Sequence, residues 1–481
     1  MVSLQISPQK GRPNEKDNGD SFMKTTSTLE RKTALRIVKV LNLVMMTMSF
    51  AFIWYTFYAK NIRSPFYNKG NWLVIAIFTI VYSMYGRVYD AFKVSLYRIS
   101  EMIYSQILAA FLSDMVLYII IWLLTVVRPP IWPSLLCLGL QVLIATVWCY
   151  CSHRWYFKTF PARKSAIIYG NRPGMEQLIH EYGLSKKFDV VKIEHVENCL
   201  NNMEILDDID AVFLCGIHSH ERNILLKYCI AKSVHVYMLP RIGDLLISSA
   251  KQLHLFHLPM LQVTGYEPNP EYIFIKRLFD IVVSGVALLL LSPIMVAVAI
   301  AIKAYDGGPV FYKQCRLTSN GKTFMVHKFR SMKVDAEKDG IARLSTGDHD
   351  DRVTPVGHFI RKVRLDELPQ LIDILKGDMS IVGPRPERPE IAAQYEKELP
   401  EFALRLQAKA GLTGYAQVYG KYNTTPYDKL QMDLMYIAHP SIIEDLRIIF
   451  ATIKILFVPE STEGVAEGQT TAETRNTAQV K

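Results

Sequence analysis

The run Ile281-Val-Val-Ser-Gly-Val-Ala-Leu-Leu-Leu-Leu-Ser292-Pro293-Ile-Met-Val-Ala-Val-Ala-Ile-Ala-Ile302 carries no charge. It is as long as the roughly 20 apolar residues that cross a bilayer as a helix. Two features argue against a simple span. Ser292-Pro293 lies at its centre. A proline there removes a backbone hydrogen bond and kinks the helix, and a serine hydroxyl can satisfy groups that the proline frees. Basic residues also flank both ends: Lys276 and Arg277 before; Lys303, Lys313, Arg316, Lys322, Lys328 and Arg330 after. A spanning helix should carry its basic excess on one side only. The pattern predicts a re-entrant helix over about 270–304, with both ends on one membrane face.

Four more apolar segments lie upstream. Val40–Ala59, Gly70–Gly86 and Pro129–His153 are uncharged, and Met102–Val127 carries only Asp114. They predict a bundle of four transmembrane helices within 31–158. Lys24, Arg31, Lys32 and Arg36 precede the first segment; Arg87, Lys93 and Arg98 follow the second; Arg154, Lys158, Arg163 and Lys164 follow the fourth. The other two loops hold Lys60, Arg63, Lys69 and Arg128. This excess orients both ends of the bundle to the cytoplasm. Asp114 falls near mid-membrane, where an acid is a functional suspect by default. An interhelical contact is the simpler reading of it.

The composition agrees with a membrane protein. Half of the 481 residues are hydrophobic, and the net charge is +10. That charge suits anionic head groups or anionic substrates without choosing between them. The seven cysteines form neither a zinc spacing nor a disulfide framework. Residues 1–30 lack the apolar core of a cleaved signal peptide. They read as a disordered tail, as do 459–481.

Between 159 and 264 strands alternate with helices. Ser165–Gly170, Asp210–Gly216 and Val234–Leu239 are strand-like, and Gly170-Asn-Arg-Pro-Gly174 turns into a helix. This predicts a Rossmann-like α/β domain. Its glycine loop departs from Gly-x-Gly-x-x-Gly, and no acid is placed for a ribose. The Tyr-x-x-x-Lys matches at Tyr228 and Tyr272 are too loose to add a cofactor site. A regulatory or assembly role is expected.

Chemistry concentrates further on. Arg361-Lys-Val-Arg-Leu-Asp366-Glu367-Leu-Pro-Gln-Leu371 and Gly383-Pro-Arg385-Pro386 place two adjacent carboxylates between two arginines. A carboxylate nucleophile beside a second carboxylate, flanked by fixed positive charge, suits phosphoryl chemistry on an anionic substrate. In isolation the acids could simply complement a helix dipole. Lys328-Phe-Arg330 could be a solvated basic face, and the glycines at 377, 383, 411 and 414 plain turns. Ile442–Phe457 mixes charges with large apolar residues, and reads as an interfacial helix or a core helix.

The motifs taken together are more specific. Gly308-Pro-Val-Phe311-Tyr-Lys-Gln314-Cys-Arg316, Lys328-Phe329-Arg330-Ser-Met332, Asp366-Glu367-Leu-Pro-Gln-Leu371, Gly377-Asp-Met-Ser380, Gly383-Pro-Arg-Pro386 and Gly411-Leu-Thr-Gly414-Tyr-Ala-Gln417-Val418 follow in order. This order resembles the bacterial sugar transferases, the monotopic polyprenyl-phosphate phosphoglycosyl transferases. With four N-terminal helices and a degenerate Rossmann unit, the chain is similar to their large members from about 35 to 458. The resemblance implies a C-terminal α+β catalytic domain over 265–458. It implies transfer of a hexose-1-phosphate from a UDP-sugar to undecaprenyl phosphate, with release of UMP. The intermediate would be a covalent aspartyl sugar-phosphate. This would be the first membrane step of exopolysaccharide, capsule, O-antigen or other glycan synthesis.

Carried over, Asp366 is the nucleophile and the residue that contacts Mg²⁺. Glu367 orients the metal or acts as a base. Arg361, Arg385, Lys328, Arg330 and Arg316 face substrate phosphates, and Ser292 and Pro293 break the re-entrant helix. The resemblance further implies a multi-pass protein of the bacterial inner (cytoplasmic) membrane, with membrane lipids around it and catalysis on the cytoplasmic face. No nucleic-acid partner is expected, and a homodimer through the N-terminal half is compatible with the pattern. Departures fall at Leu317-Thr-Ser-Asn-Gly321, at Tyr415 and at Tyr419-Gly-Lys421-Tyr-Asn-Thr424. The last two touch donor recognition, so glucose, galactose and acetamido sugars stay open. A membrane dehydratase or epimerase would need the missing dinucleotide loop. A non-catalytic scaffold would not need both acids and their arginines.

Overall fold

A computed structural model describes residues 15–66, 69–172, 174–334, 336, 352–420 and 424–456. The chain divides into two units, Met1–Leu239 and Pro240–Lys481.

The first unit opens with four long helices: α1 (Glu15–Ile53), α2 (Lys69–Val88), α3 (Ile99–Leu124) and α4 (Trp132–Thr159). Each packs on two others, α1 on α2 and α4, α3 on α2 and α4. All four are long and apolar enough to cross a membrane. Their outward faces are apolar, with Ile37, Trp72, Ile80, Leu123 and Leu143 exposed. Polar side chains pair inside instead. Asn42 Nδ2 donates to Gln106 Oε1 at 3.1 Å, and the Tyr82 hydroxyl donates to Asn42 Oδ1 at 2.9 Å. Interhelical hydrogen bonds of this kind hold helices together where no water is present. Asp114 joins them: its Oδ1 accepts from Gln141 Nε2 at 3.2 Å, linking α3 to α4.

Helix α1 begins at Glu15 and so corrects the expectation of disorder across 1–30. Once a helix is nucleated, each further residue adds a hydrogen bond, so the apolar part of α1 extends backward into polar sequence. Residues 1–14 and the expected tail 459–481 lie outside the described residues.

A parallel four-stranded sheet follows, with strands β1 (Arg163–Tyr169), β2 (Phe188–His195), β3 (Ala211–Cys215) and β4 (His235–Met238) in the order β2-β1-β3-β4. Successive side chains alternate across it. Ala166, Ile168, Val212 and Leu214 pack on α6 (Val196–Asn201) and α7 (Ser219–Ala231). Ile167, Ala211 and Phe213 pack on the other side with Ile179 of α5 (Met175–Glu181).

The second unit starts with α8 (Ile242–Ser248) and a hairpin of β5 (Lys251–Leu255) and β6 (Leu258–Gln262). Leu245 of α8 joins the core of this unit. Residues 240–264, grouped with the α/β segment by sequence pattern, therefore belong here. The long α9 (Pro270–Asp306) comes next, then a hairpin of β7 (Phe311–Leu317) and β8 (Thr323–Phe329). The rest comprises α10 (Pro355–Lys362), α11 (Gln370–Lys376), β9 (Ser380–Val382), α12 (Pro389–Glu398), β10 (Gly411–Thr413), α13 (Tyr415–Tyr419), α14 (Pro426–Ala438) and α15 (Ile442–Leu456). Strands β9 and β10 are parallel. Val326, Leu371, Ile374, Met379, Phe402, Leu430 and Ile448 form the core. Because Ile448 is fully buried there, α15 is a core helix, one of the two readings of its sequence.

Both ends of α9 are tied to this unit. Near the start, Arg277 donates to the carbonyls of Ile374 (2.6 Å) and Leu375 (2.7 Å). Those carbonyls close α11, and that of Ile374 also accepts from the Gly377 N–H that caps the helix. Lys276 Nζ lies 2.9 Å from Asp445, which also accepts from the hydroxyls of Tyr272 (3.0 Å) and Tyr436 (2.9 Å). Asp280 accepts from the backbone N–H of Ile381 at 3.0 Å. At the far end Arg330 donates to both carboxylate oxygens of Asp306, through Nη1 at 2.7 Å and through Nη2. Between the anchors, Leu289 and Leu290 are 74% and 70% exposed. Pro293 lies inside the helix. It cannot donate to the Leu289 carbonyl four residues back. Ser292 Oγ donates to that carbonyl instead, at 2.8 Å.

Lys276→Met leaves Asp445 buried without its counter-charge. The expected cost is about 3 kcal/mol, read as a fall of several degrees in the melting temperature of the detergent-solubilised protein. An unchanged melting temperature would show that this pair does not anchor α9.

Candidate active site

The site is built on the turn between α10 and α11. Arg364 takes left-handed backbone angles, φ 55 and ψ 25, and a single 3₁₀ turn over Leu365–Glu367 follows. Such a conformation costs a non-glycine residue energy and must be held by its surroundings. It reverses the chain after α10 and sets Asp366 and Glu367 on a tight turn. Two separate elements then supply cations. Lys328 extends from β8 and donates to Glu367 Oε1 at 2.8 Å. Arg385, on the loop after β9, donates to the same oxygen at 2.9 Å.

The two neighbouring acids are shifted in opposite directions. Burial opposes the ionisation of Glu367, but Lys328 and Arg385 outweigh it and hold its carboxyl well below the usual range. Glu367 in turn raises Arg385. Asp366 is pushed up by burial and by the Glu367 charge, against the pull of Lys328, Arg361 and Arg385. Its carboxylate makes no hydrogen bond or ion pair among the described residues. Arg361, in the last turn of α10, buries Nη1 with no hydrogen-bond partner. Among the described residues the site thus holds one engaged carboxylate, one carboxylate without a hydrogen bond or ion pair, and one guanidinium nitrogen with no hydrogen-bond partner.

Of the five basic residues expected at phosphates, Lys328 and Arg385 touch Glu367, and Arg361 acts on Asp366 through its charge. Arg330 is engaged by Asp306. Arg316 donates to Gln314 Oε1 at 3.0 Å and to the Pro386 carbonyl at 3.0 Å, so it braces the loop that carries Arg385. Ser292 and Pro293 lie in α9, away from these contacts.

The glycine motifs form one crossing of loops. Gly383 N–H donates to Thr413 O, and Gly411 N–H to Pro384 O, both at 2.8 Å. A Cβ at Gly383 would sit 2.2 Å from the Lys409 carbonyl oxygen. The glycines there permit close backbone approach, and the approach delivers Arg385. Tyr415 donates to Glu444, and its ring lies 5.3 Å from that of Tyr419. Residues 421–423 of the departing segment lie outside the described residues.

Two further pairs have no motif to mark them in the sequence. Asp373 accepts from the His327 backbone N–H at 2.8 Å and pairs with its ring at 2.6 Å. Arg405 pairs with Asp433 at 2.7 Å. The only signal for either is an acid inside an otherwise apolar helical stretch.

The family model for the bacterial sugar transferases matches residues 271–459, which contain this whole constellation. The chain is 38% identical over 234 residues to the UDP-N-acetylgalactosamine-undecaprenyl-phosphate N-acetylgalactosaminephosphotransferase of Aeromonas hydrophila, covering 48% of this chain and 54% of that protein. It is 36% identical over 251 residues to the UDP-glucose:undecaprenyl-phosphate glucose-1-phosphate transferase of Escherichia coli (strain K12), covering 49% and 54%. It is 40% identical over 199 residues to the exopolysaccharide production protein PSS of Rhizobium leguminosarum bv. phaseoli, covering 40% of this chain and 96% of that protein. The chain belongs to the bacterial sugar transferase family. It spans about half the length of the first two relatives, and nearly all of the third. The part of this sugar transferase that the family model matches lies in its second unit, where Asp366 and its neighbours also lie.

Gly383→Ala should destabilise the protein by about 1–3 kcal/mol through overpacking, because the added carbon meets backbone and not a movable side chain. Thermal unfolding of the full-length variant checks this. A wild-type melting temperature would show that the loops do not cross so closely.

Proposed function

We propose that the protein is a phosphoglycosyl transferase of the cytoplasmic membrane. It moves a hexose-1-phosphate from a UDP-sugar to undecaprenyl phosphate and begins a surface glycan. The observation that carries this reading is the Asp366 carboxylate, which makes no hydrogen bond or ion pair among the described residues, beside the engaged carboxylate of Glu367. In the first step an Asp366 oxygen attacks the β-phosphorus of the donor. The bond to the bridging oxygen breaks, UMP leaves, and an aspartyl sugar-phosphate remains. An acyl phosphate keeps high transfer potential. In the second step a phosphate oxygen of undecaprenyl phosphate attacks the same phosphorus and restores the Asp366 carboxylate.

Attack by an anion on a diphosphate requires neutralised charge. Arg361 and Arg385 supply planar forks for phosphate oxygens, and Lys328 a point charge. Glu367 suits a holding role, because a carboxylate kept below its usual range by two cations is a weak base. Mg²⁺ fits this donor set. Among the described residues no group of three or more His, Cys, Asp or Glu side chains could hold a metal. Asp366 would be its one protein carboxylate, with phosphates and water completing the shell, as Mg²⁺ prefers. When bound, it would offset the charge of the diphosphate.

The remaining architecture fits the same reading. The four N-terminal helices act as a transmembrane bundle over 31–158, and the parallel sheet as a Rossmann-like module in regulation or assembly. Helix α9 is re-entrant, a reading supported by its two ends being anchored to one unit with an exposed apolar middle. Both ends and the catalytic domain then face the cytoplasm. The relatives' names carry different sugars, N-acetylgalactosamine and glucose. A UDP-hexose is the donor class that spans both.

Purified protein supplied with a UDP-hexose without acceptor should release UMP in a burst of roughly one equivalent per active site, the signature of a covalent intermediate. Asp366→Asn should lose both the burst and the sugar-phosphate adduct seen by mass spectrometry. Strict dependence of UMP release on acceptor would favour direct displacement. For topology, single cysteines introduced at Asn269 and Lys313 should both react only from the cytoplasmic side. Reaction of either one from outside would make α9 a spanning helix.

A further inference from the structure

Arg385 depends on the loop that carries it, and that loop rests on a buried guanidinium. Arg405 is 3% exposed. Its Nη2 donates to the backbone carbonyl of Arg385 itself, at 2.8 Å. Its Nε donates to Asp433 Oδ2 at 2.8 Å, and Nη2 lies 2.7 Å from the same oxygen. Its Nη1 lies 3.6 Å from Glu387, two residues beyond Arg385. The Phe402 ring covers the guanidinium, with its centroid 4.9 Å from Cζ. Arg316 grips the next carbonyl along, that of Pro386. Two guanidinium groups therefore hold successive carbonyls of the loop, and the inner one is fixed by an acid from α14.

A buried ion pair of this kind is a poor source of stability, because desolvation offsets its attraction, and apolar residues of similar volume often do as well. Its geometry is its distinctive property. A planar guanidinium fixed by Asp433 can hold the Arg385 carbonyl in one place and direction. We propose that Arg405, locked by Asp433, is a positioning residue that sets the Arg385–Glu367 contact and the approach of Arg385 to substrate phosphate. This rests on the reaction proposed above. Arg405 touches none of the reacting groups and acts through Arg385.

The test is a double-mutant cycle on UMP release by the full-length protein in nanodiscs. Arg405→Lys keeps the charge and loses the fork. It should slow turnover about 10- to 100-fold, the scale of a misplaced catalytic contact. Arg385→Gln alone should be at least as slow. The double variant Arg385→Gln/Arg405→Lys should be no slower than Arg385→Gln, since nothing remains to position. Losses that multiply would assign Arg405 a general structural role and overturn the inference, while leaving the proposed reaction intact. Wild-type turnover in Arg385→Gln would overturn the phosphate role of Arg385 together with this inference. If Arg405→Lys does not fold, Asp433→Asn, which keeps the shape and weakens the lock, runs through the same cycle with the same outcomes.

Discussion

The three-way contact of Lys328, Glu367 and Arg385 is the interaction on which the second unit's site depends. It joins a hairpin strand, a 3₁₀ turn and a loop after a short parallel strand. The hairpin is held through Asp373, which binds the backbone and ring of His327 next to Lys328. The loop is held by the glycine crossing and by Arg316 and Arg405. Charge brings the three together, and packing at each base fixes where the charges stand.

Much of this was legible in the sequence. The apolar segments declare themselves by length alone, and the proline at 293 announces an irregular helix whose freed carbonyl Ser292 then satisfies. The Asp366-Glu367 pair stood out because two adjacent carboxylates between arginines suit phosphoryl chemistry on an anionic substrate. What could not be read was partner choice. Arg330 and Arg316 have the residue type that phosphate needs, but a guanidinium binds a protein carboxylate or carbonyl by the same geometry. Asp306 and the Pro386 carbonyl were local alternatives whose proximity only the fold reveals. The same holds for α15. Its alternation of charged and apolar residues suits an interface or a core, and burial of Ile448 and Asp445 decides for the core.

The anchoring of α9 has a consequence for the site. Arg277 caps α11, the helix that follows the Asp366-Glu367 turn, and Asp306 at the other end holds Arg330, two residues beyond Lys328. The apolar helix is thereby attached to both halves of the constellation. A membrane-embedded middle would fix the depth of the acids relative to the lipid surface. An acceptor whose phosphate rests at that surface needs such a constraint more than it needs a deep pocket.

Two adjacent acidic side chains on one turn have different surroundings here. Successive residues of a 3₁₀ turn project about 120° apart, against roughly 100° in an α-helix. The turn over Leu365–Glu367 carries Glu367, which meets both cations through hydrogen bonds, and Asp366, which feels them through their charge. Arg364, held in the left-handed region, is what ends α10 sharply enough to allow this turn. In the proposed reaction Glu367 engages Lys328 and Arg385, the cations that also pull on Asp366 through their charge. The second acid is thus as much a part of the nucleophile's environment as the cations are.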